Sequence, residues 1–145
     1  MEPHYFNVNL SWISDRKGEL SSPELEDVIE VATPPPFPKG IDRIWSPEHL
    51  FTAAVNSCFM TTFLAVAENS KLEFELSDCK AKGKLEQVEG KYLMMEVILE
   101  PTLVITKEVD KVSAERILQK SEAACLISNS IKSKVTMISN SQCLN

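Results

Sequence analysis

The apolar and polar positions divide the chain into one long uncharged stretch flanked by segments of alternating character. Residues 50–67 carry no charge, and strong helix signals precede them. Ser46 is a good N-cap, Pro47 suits the first helical position, and Glu48 puts a negative charge where the helix dipole favours it. The helix is expected to end near Glu68, Asn69 and Ser70. Its length alone would permit a membrane span, but Thr52, Asn56, Ser57, Thr61, Thr62 and many small residues favour a buried helix. A helix that is apolar or small on nearly every face needs cover all round. A chain this small can barely supply it, so a partner subunit is expected over part of the helix.

Around that helix the pattern is mostly strand. Residues 6–12 alternate loosely, Asp15-Arg16-Lys17-Gly18 supplies a turn, and residues 28–31 are again extended, which predicts a first hairpin. Pro34, Pro35, Pro36 and Pro38 make the following stretch a stiff loop leading to the helix. Beyond the helix, Leu72, Phe74 and Leu76 alternate with Glu73 and Glu75. The phase then shifts, so that Cys79, Ala81 and Leu85 alternate with Lys80, Lys82 and Lys84, which predicts a bulge or bend at Ser77 and Asp78. A turn at Glu89-Gly90-Lys91 leads into a return strand over residues 92–99, which Pro101 is expected to interrupt before residues 102–106. A second helix fits residues 112–125, with Ala114, Ile117, Leu118, Ser121 and Cys125 near one stripe and a capping signal in residues 110–113. Residues 133–138 form a last strand. Strands, long helix, strands, helix and strand make an α+β fold and not a regular parallel βαβ series.

Composition narrows the function. The 145 residues fit a single domain, residues 1–145, and 43% hydrophobic with 25% charged residues is a globular balance. A net charge of −6 repels phosphate backbones, and the lysines are scattered along strands, so no nucleic-acid partner is expected. The start, MEPHYFNVNLSW, lacks the basic and apolar regions of a signal peptide, so a reducing cytoplasm and free thiols are expected. The four cysteines form no C-x-x-C pair and the two histidines stand apart, so neither a metal site nor a cofactor is expected. Cys58 falls midway along the long helix and Cys125 at the end of the second. For each the plain reading is a small buried hydrophobe.

A more specific reading comes from motifs. Ser46-Pro47-Glu48-His49-Leu50-Phe51, then six residues and Cys58-Phe59, with Cys125-Leu126-Ile127-Ser128-Asn129-Ser130 far downstream, resembles the paired-cysteine motifs of the OsmC/Ohr superfamily of thiol-dependent peroxidases. Arg16 stands eighteen residues before the Pro34 of Ala32-Thr33-Pro34, in register with the reactive-site arginine of the organic hydroperoxide resistance branch. The similarity spans roughly residues 12–138, with one departure: Leu126 replaces the proline that commonly follows the second cysteine. The resemblance implies an intertwined homodimer, long central helices wrapped by mainly antiparallel sheets, and two sites at the subunit interface. It also implies a cycle in which Cys58 attacks a hydroperoxide, becomes a sulfenic acid, condenses with Cys125, and is reset by a dithiol reductant. Arg16 and Glu48 are carried over as the pair that poises Cys58.

Elementary chemistry adds conditions. A thiol of ordinary pKa, about 8.5, is only a few per cent thiolate at pH 7, so Cys58 needs a cation or a helix N-terminus nearby. Its own helix offers none, because Glu48 lies about 15 Å back along the axis. The activating group is therefore expected from elsewhere: Arg16, or its rival Arg43, with Glu48 reaching the site more easily from a partner subunit. At the carboxyl end of its helix Cys125 would be disfavoured as a thiolate, which suits a resolving thiol. The alternative function is a non-catalytic dimer of the same fold that binds a ligand or senses redox state.

Overall fold

The computed structural model describes residues 1–144, Leu76 through its backbone only. The chain divides into two compact units, Met1–Leu50 and a second from Phe51 onward, each with its own sheet. In the first unit β1 (Asn9–Ser14), β2 (Lys17–Ser21) and β3 (Ile29–Ala32) form an antiparallel meander. The expected hairpin partner of β1 was the segment near residue 28. The partner is instead β2, because a two-residue turn with Asp15 at φ 47° brings Lys17 straight back beside Ser14, leaving residues 28–31 to add the third strand. After Ala32 the proline segment makes successive turns, with Phe37 N–H donating to the Pro34 carbonyl and Gly40 N–H to that of Phe37. The following chain returns to β3, where Ala32 N–H donates to the Trp45 carbonyl at 2.8 Å.

α1 (Pro47–Asn69) begins where the sequence places it. The buried Ser46 hydroxyl accepts the His49 N–H at 3.1 Å and also bonds the His49 ring at 2.7 Å, so both residues serve the cap. Within the single chain α1 buries one stripe, Val55, Phe59, Phe63 and Ala67, and leaves much of its uncharged surface open.

That stripe meets the second sheet. β4 (Phe74–Val88) and β5 (Lys91–Ile105) form a long antiparallel hairpin whose turn residues Glu89 and Gly90 have φ of 50° and 80°, the left-handed pair that a two-residue hairpin turn requires. Register shifts in β4 fall at Phe74/Leu76 and at Lys84/Leu85, on either side of the position expected from the phase change; the side chain of Leu76 lies outside the described residues. β5 is not interrupted at Pro101. It is the central strand, and it carries β6 (Lys134–Met137) and β7 (Asn140–Cys143) in parallel along its other edge. Leu99 accepts the Ile138 N–H on that edge, and the missing N–H of Pro101 faces the same way, into the break between β6 and β7 where no ladder donor is needed. β7 had no counterpart in the sequence reading, because Asn-Ser-Gln-Cys carries no strand pattern.

One face of β5, Val97, Leu99, Leu103 and Ile105, is fully buried with period two, and forms the core with α1 and with Ala114, Ile117 and Leu118 of α2 (Lys111–Ala123). The predicted capping signal of α2 does not act: a 3₁₀ turn at Glu108–Asp110 precedes it, and Asp110 makes no side-chain cap bond. α2 also stops two residues before Cys125, and a short helix, α3 (Leu126–Asn129), restarts beyond it with Cys125 as N-cap. Close approach of α1 to β4 depends on Gly83, where a methyl group would run into the Thr52 side chain and lie 2.7 Å from Met94 Cε.

Phe63, 1% exposed and tilted against Phe74 at 5.4 Å, anchors α1 to this core. Phe63→Ala is expected to cost about 3–5 kcal/mol in urea unfolding. Gly83→Val should also lower the midpoint; a midpoint unchanged in both variants would contradict this packing.

Candidate active site

The break between α2 and α3 determines where the second cysteine goes. The stripe of α2 ends in Ser121, whose hydroxyl is tied to the Ile117 carbonyl at 2.6 Å, and the chain leaves the helix at Ala124. Cys125 then takes an extended conformation, φ −64° and ψ 116°, and its carbonyl accepts the Asn129 N–H at 3.0 Å, closing the single turn of α3. This geometry drives the Cys125 side chain inward. It is fully buried, with Sγ 4.0 Å from the Val55 carbonyl of α1. Val55 and Cys58 lie one turn apart on the same helix, so Cys125 comes against the turn that carries Cys58.

The two thiols lie near enough to influence each other's ionisation, and both are free. Partial burial by itself would push the Cys58 thiol up. The Ile127 N–H, the Cys125 thiol, the Thr62 hydroxyl and the Leu126 N–H all donate to its sulfur and outweigh burial, so its pKa lies below the ordinary thiol value. Burial pushes the Cys125 thiol up; the Ser128 hydroxyl and N–H oppose this, and the hydrogen bond and charge of Cys58 add to it, for a net upward shift. The pair therefore ionises in a fixed order: Cys58 becomes the thiolate while Cys125 keeps its proton and donates it in a hydrogen bond.

Two expectations change here. Cys58 does have a helix start beside it, that of α3, which the linear sequence hides because it follows Cys125. Cys125 is held protonated by burial and by the Cys58 charge, and not by the carboxyl end of α2, which it does not occupy. The sequence reading gave no role to Thr62 or Ile127, and took Leu126 only as a departure from the usual proline. The signal available was the position of Thr62, four residues after Cys58 and so on its face of a helix.

The remaining candidates lie in the first unit. Arg16 is exposed in the β1–β2 turn, its carbonyl accepting the Thr33 N–H at 3.1 Å. It lines a cavity of about 250 Å³ with Leu10, Trp12, Val31, Thr33 and Pro47. Arg43 is exposed with φ 65°, and Glu48 is half-buried in the first turn of α1. What the structure brings together is Cys58 and Cys125. The other cysteines have no such setting: burial, then the Glu100 carboxylate, push Cys79 up to about 11, and burial, then Glu108, push Cys143 up. Phe59, beside Cys58, is a core residue, while Trp45 is half exposed. Among the described residues no cluster of side chains could hold a metal ion.

The comparisons with known proteins place this α+β chain in a family. The family model described as OsmC-like protein matches residues 40–140, and the chain belongs to that family. It is 24% identical over 140 residues to the uncharacterised protein YmaD of Bacillus subtilis, covering 94% of this chain and 93% of that one. Its fold is similar to an OsmC-like protein of unknown function from Vibrio cholerae, with a TM-score of 0.83 at 22% identity, covering 94% of this chain and 99% of that chain. It is also similar to an organic hydroperoxide resistance protein from Elizabethkingia anophelis, with a TM-score of 0.75 at 21% identity, covering 99% and 100%. These likenesses establish the expected α+β, OsmC-like fold.

Because the Cys58 thiol is shifted down and the other three up, iodoacetamide should label Cys58 before the other cysteines as pH rises. Peptide mapping of alkylated protein across a pH series checks the order; equal labelling of Cys58 and Cys79 at every pH would refute it.

Proposed function

We propose that this protein is a thiol-dependent peroxidase that reduces organic hydroperoxides. The observation that carries the reading is the nearness of Cys58 and Cys125, free thiols whose pKa values are displaced in opposite directions. A nucleophile that ionises readily, beside a thiol that stays protonated, is the pairing a two-cysteine peroxidase needs. The Cys58 thiolate attacks the terminal peroxide oxygen, the O–O bond breaks, and an alcohol leaves as Cys58 becomes a sulfenic acid. The Cys125 sulfur then attacks the Cys58 sulfur, water departs, and a Cys58–Cys125 disulfide forms. A dithiol reductant restores both thiols and is itself oxidised to a disulfide. Membership of the OsmC-like family and the fold shared with proteins named for organic hydroperoxide resistance support the hydroperoxide as substrate.

In this reading Arg16 and Glu48 form the polar pair that poises the site, with Arg43 as the competing guanidinium, and residues 1–145 act as one domain. The working form is a homodimer. The exposed Met60 and Leu64 of α1, at 49% and 44%, together with Ser57 and Thr61 beside them, are the surface a second copy would cover. The proposed cycle starts from free thiols, which a reducing compartment such as the cytoplasm would maintain.

Reduced protein mixed with an alkyl hydroperoxide and a dithiol should consume peroxide catalytically. Cys58→Ser should abolish consumption, and Cys125→Ser should allow one turnover per chain that stops at the sulfenic acid, read by trapping with a dimedone reagent. Full activity in Cys58→Ser would overturn the proposal, and no consumption by the unaltered protein with any dithiol would leave the ligand-binding or redox-sensing dimer in its place.

A further inference from the structure

A disulfide between Cys58 and Cys125 can be opened at either sulfur, and the two residues are placed very differently. Cys125 is the extended residue between α2 and α3, and its neighbours on both sides, Ala124 and Leu126, are exposed. Cys125 alone is turned inward: it is 0% exposed, with Sγ 4.0 Å from the carbonyl of Val55, itself 0% exposed. Ser121, four residues earlier on α2, is equally buried. Cys58 is only partly buried, and Ser57 and Thr61 beside it on α1 are exposed.

We propose that the reductant attacks the Cys58 sulfur of the disulfide and expels Cys125, so that the mixed disulfide of the resetting step forms on Cys58, the cysteine that also meets the peroxide. The inference rests on the reading of Cys58 and Cys125 as a disulfide-forming pair. Its physical basis is access. A thiolate displaces at sulfur along the line of the S–S bond, so attack on Cys125 needs room on the side of that sulfur away from Cys58, and a residue with no exposed surface offers none. Attack on Cys58 uses an opening that the cycle already requires, since the hydroperoxide must reach the same sulfur. The order of the thiol pKa values acts the other way, because the thiol that ionises more readily is the better leaving group, and here that is Cys58. Burial decides, because leaving-group differences alter the rate only of attacks that can take place. In the first exchange one thiolate of the dithiol bonds to Cys58, the S–S bond breaks, and Cys125 leaves with the electron pair and takes up a proton. In the second, the reductant's other thiol attacks the reductant sulfur of the mixed disulfide and releases Cys58 as a thiolate. The dithiol is oxidised by two electrons and the protein disulfide is reduced by two.

The test uses the whole chain with its disulfide preformed by one equivalent of an alkyl hydroperoxide. The probe is 2-mercaptoethanol, because a monothiol lacks the second thiol that clears the mixed disulfide. Samples taken from the first seconds onward are quenched with N-ethylmaleimide at acid pH and mapped without reduction by mass spectrometry. The mercaptoethanol adduct should sit on Cys58 in excess over Cys125 by about tenfold or more, as expected when one sulfur is reached only through local opening. In urea-unfolded protein, where burial is lost, that excess should disappear. An adduct mainly on Cys125 in the folded protein would overturn the proposal, as would an excess on Cys58 that persists unchanged in urea. Failure of the disulfide to form at all refutes the dithiol reading and this proposal with it, and mapping before the thiol is added tells the two failures apart.

Discussion

The structure of the second unit turns on one contact: the buried Cys125 pressed against the turn of α1 that carries Cys58. A helix that ended normally at Ala123 would have carried the chain away from α1. Instead the chain straightens for one residue, turns its thiol inward and restarts a helix. That single extended residue aims the backbone donors of α3 at Cys58 while placing a second sulfur beside it. The rest of the unit serves this junction. The β4–β5 hairpin gives α1 a floor, and the alternation along β5 fixes which side of that floor is apolar. Ser139 and Ser141, both donating to Glu115, tie the end of the chain to α2.

The chemistry follows from how unequally the two sulfurs are treated. Each loses hydration, and each has Ser or Thr hydroxyls and N–H groups within reach. Cys58, half-buried, gains more from its donors than burial costs it, while fully buried Cys125 does not. Once Cys58 is ionised its charge holds the proton on Cys125 more firmly, so the first ionisation reinforces the difference. The two thiols therefore acquire distinct properties, one more readily ionised and one proton-bearing.

The long helix, its cap, the buried stripe of α2 and the α+β class were legible in the sequence because each has a local cause: an N-cap serine, a proline at the first turn, a run of apolar residues with helical spacing. The hairpin turn at Glu89 and Gly90 was legible for the same reason. What escaped had non-local causes. Pro101 reads as a strand breaker, yet it lies inside β5, because the gap that accommodates it is made by β6 and β7 from the far end of the chain. The pairing of β1 with Lys17–Ser21 was missed because Gly18 and Glu19 interrupt the apolar pattern. The cysteine pair could be named from motifs, but the way Cys58 is activated could not: its backbone partners, Leu126 and Ile127, lie 68 and 69 positions further along the chain, and their approach depends on the break after α2.

The central claim is that Cys58 and Cys125 form one redox unit whose members need little movement to bond. The measurement that addresses it most directly is peptide mapping, under non-reducing conditions, of protein treated with one equivalent of an alkyl hydroperoxide and quenched by alkylation. The account predicts a disulfide joining the Cys58 and Cys125 peptides, with Cys79 and Cys143 alkylated as free thiols. Sulfinic acid accumulating at Cys58 while Cys125 remains a free thiol, or a disulfide running through Cys79 or Cys143, would contradict it.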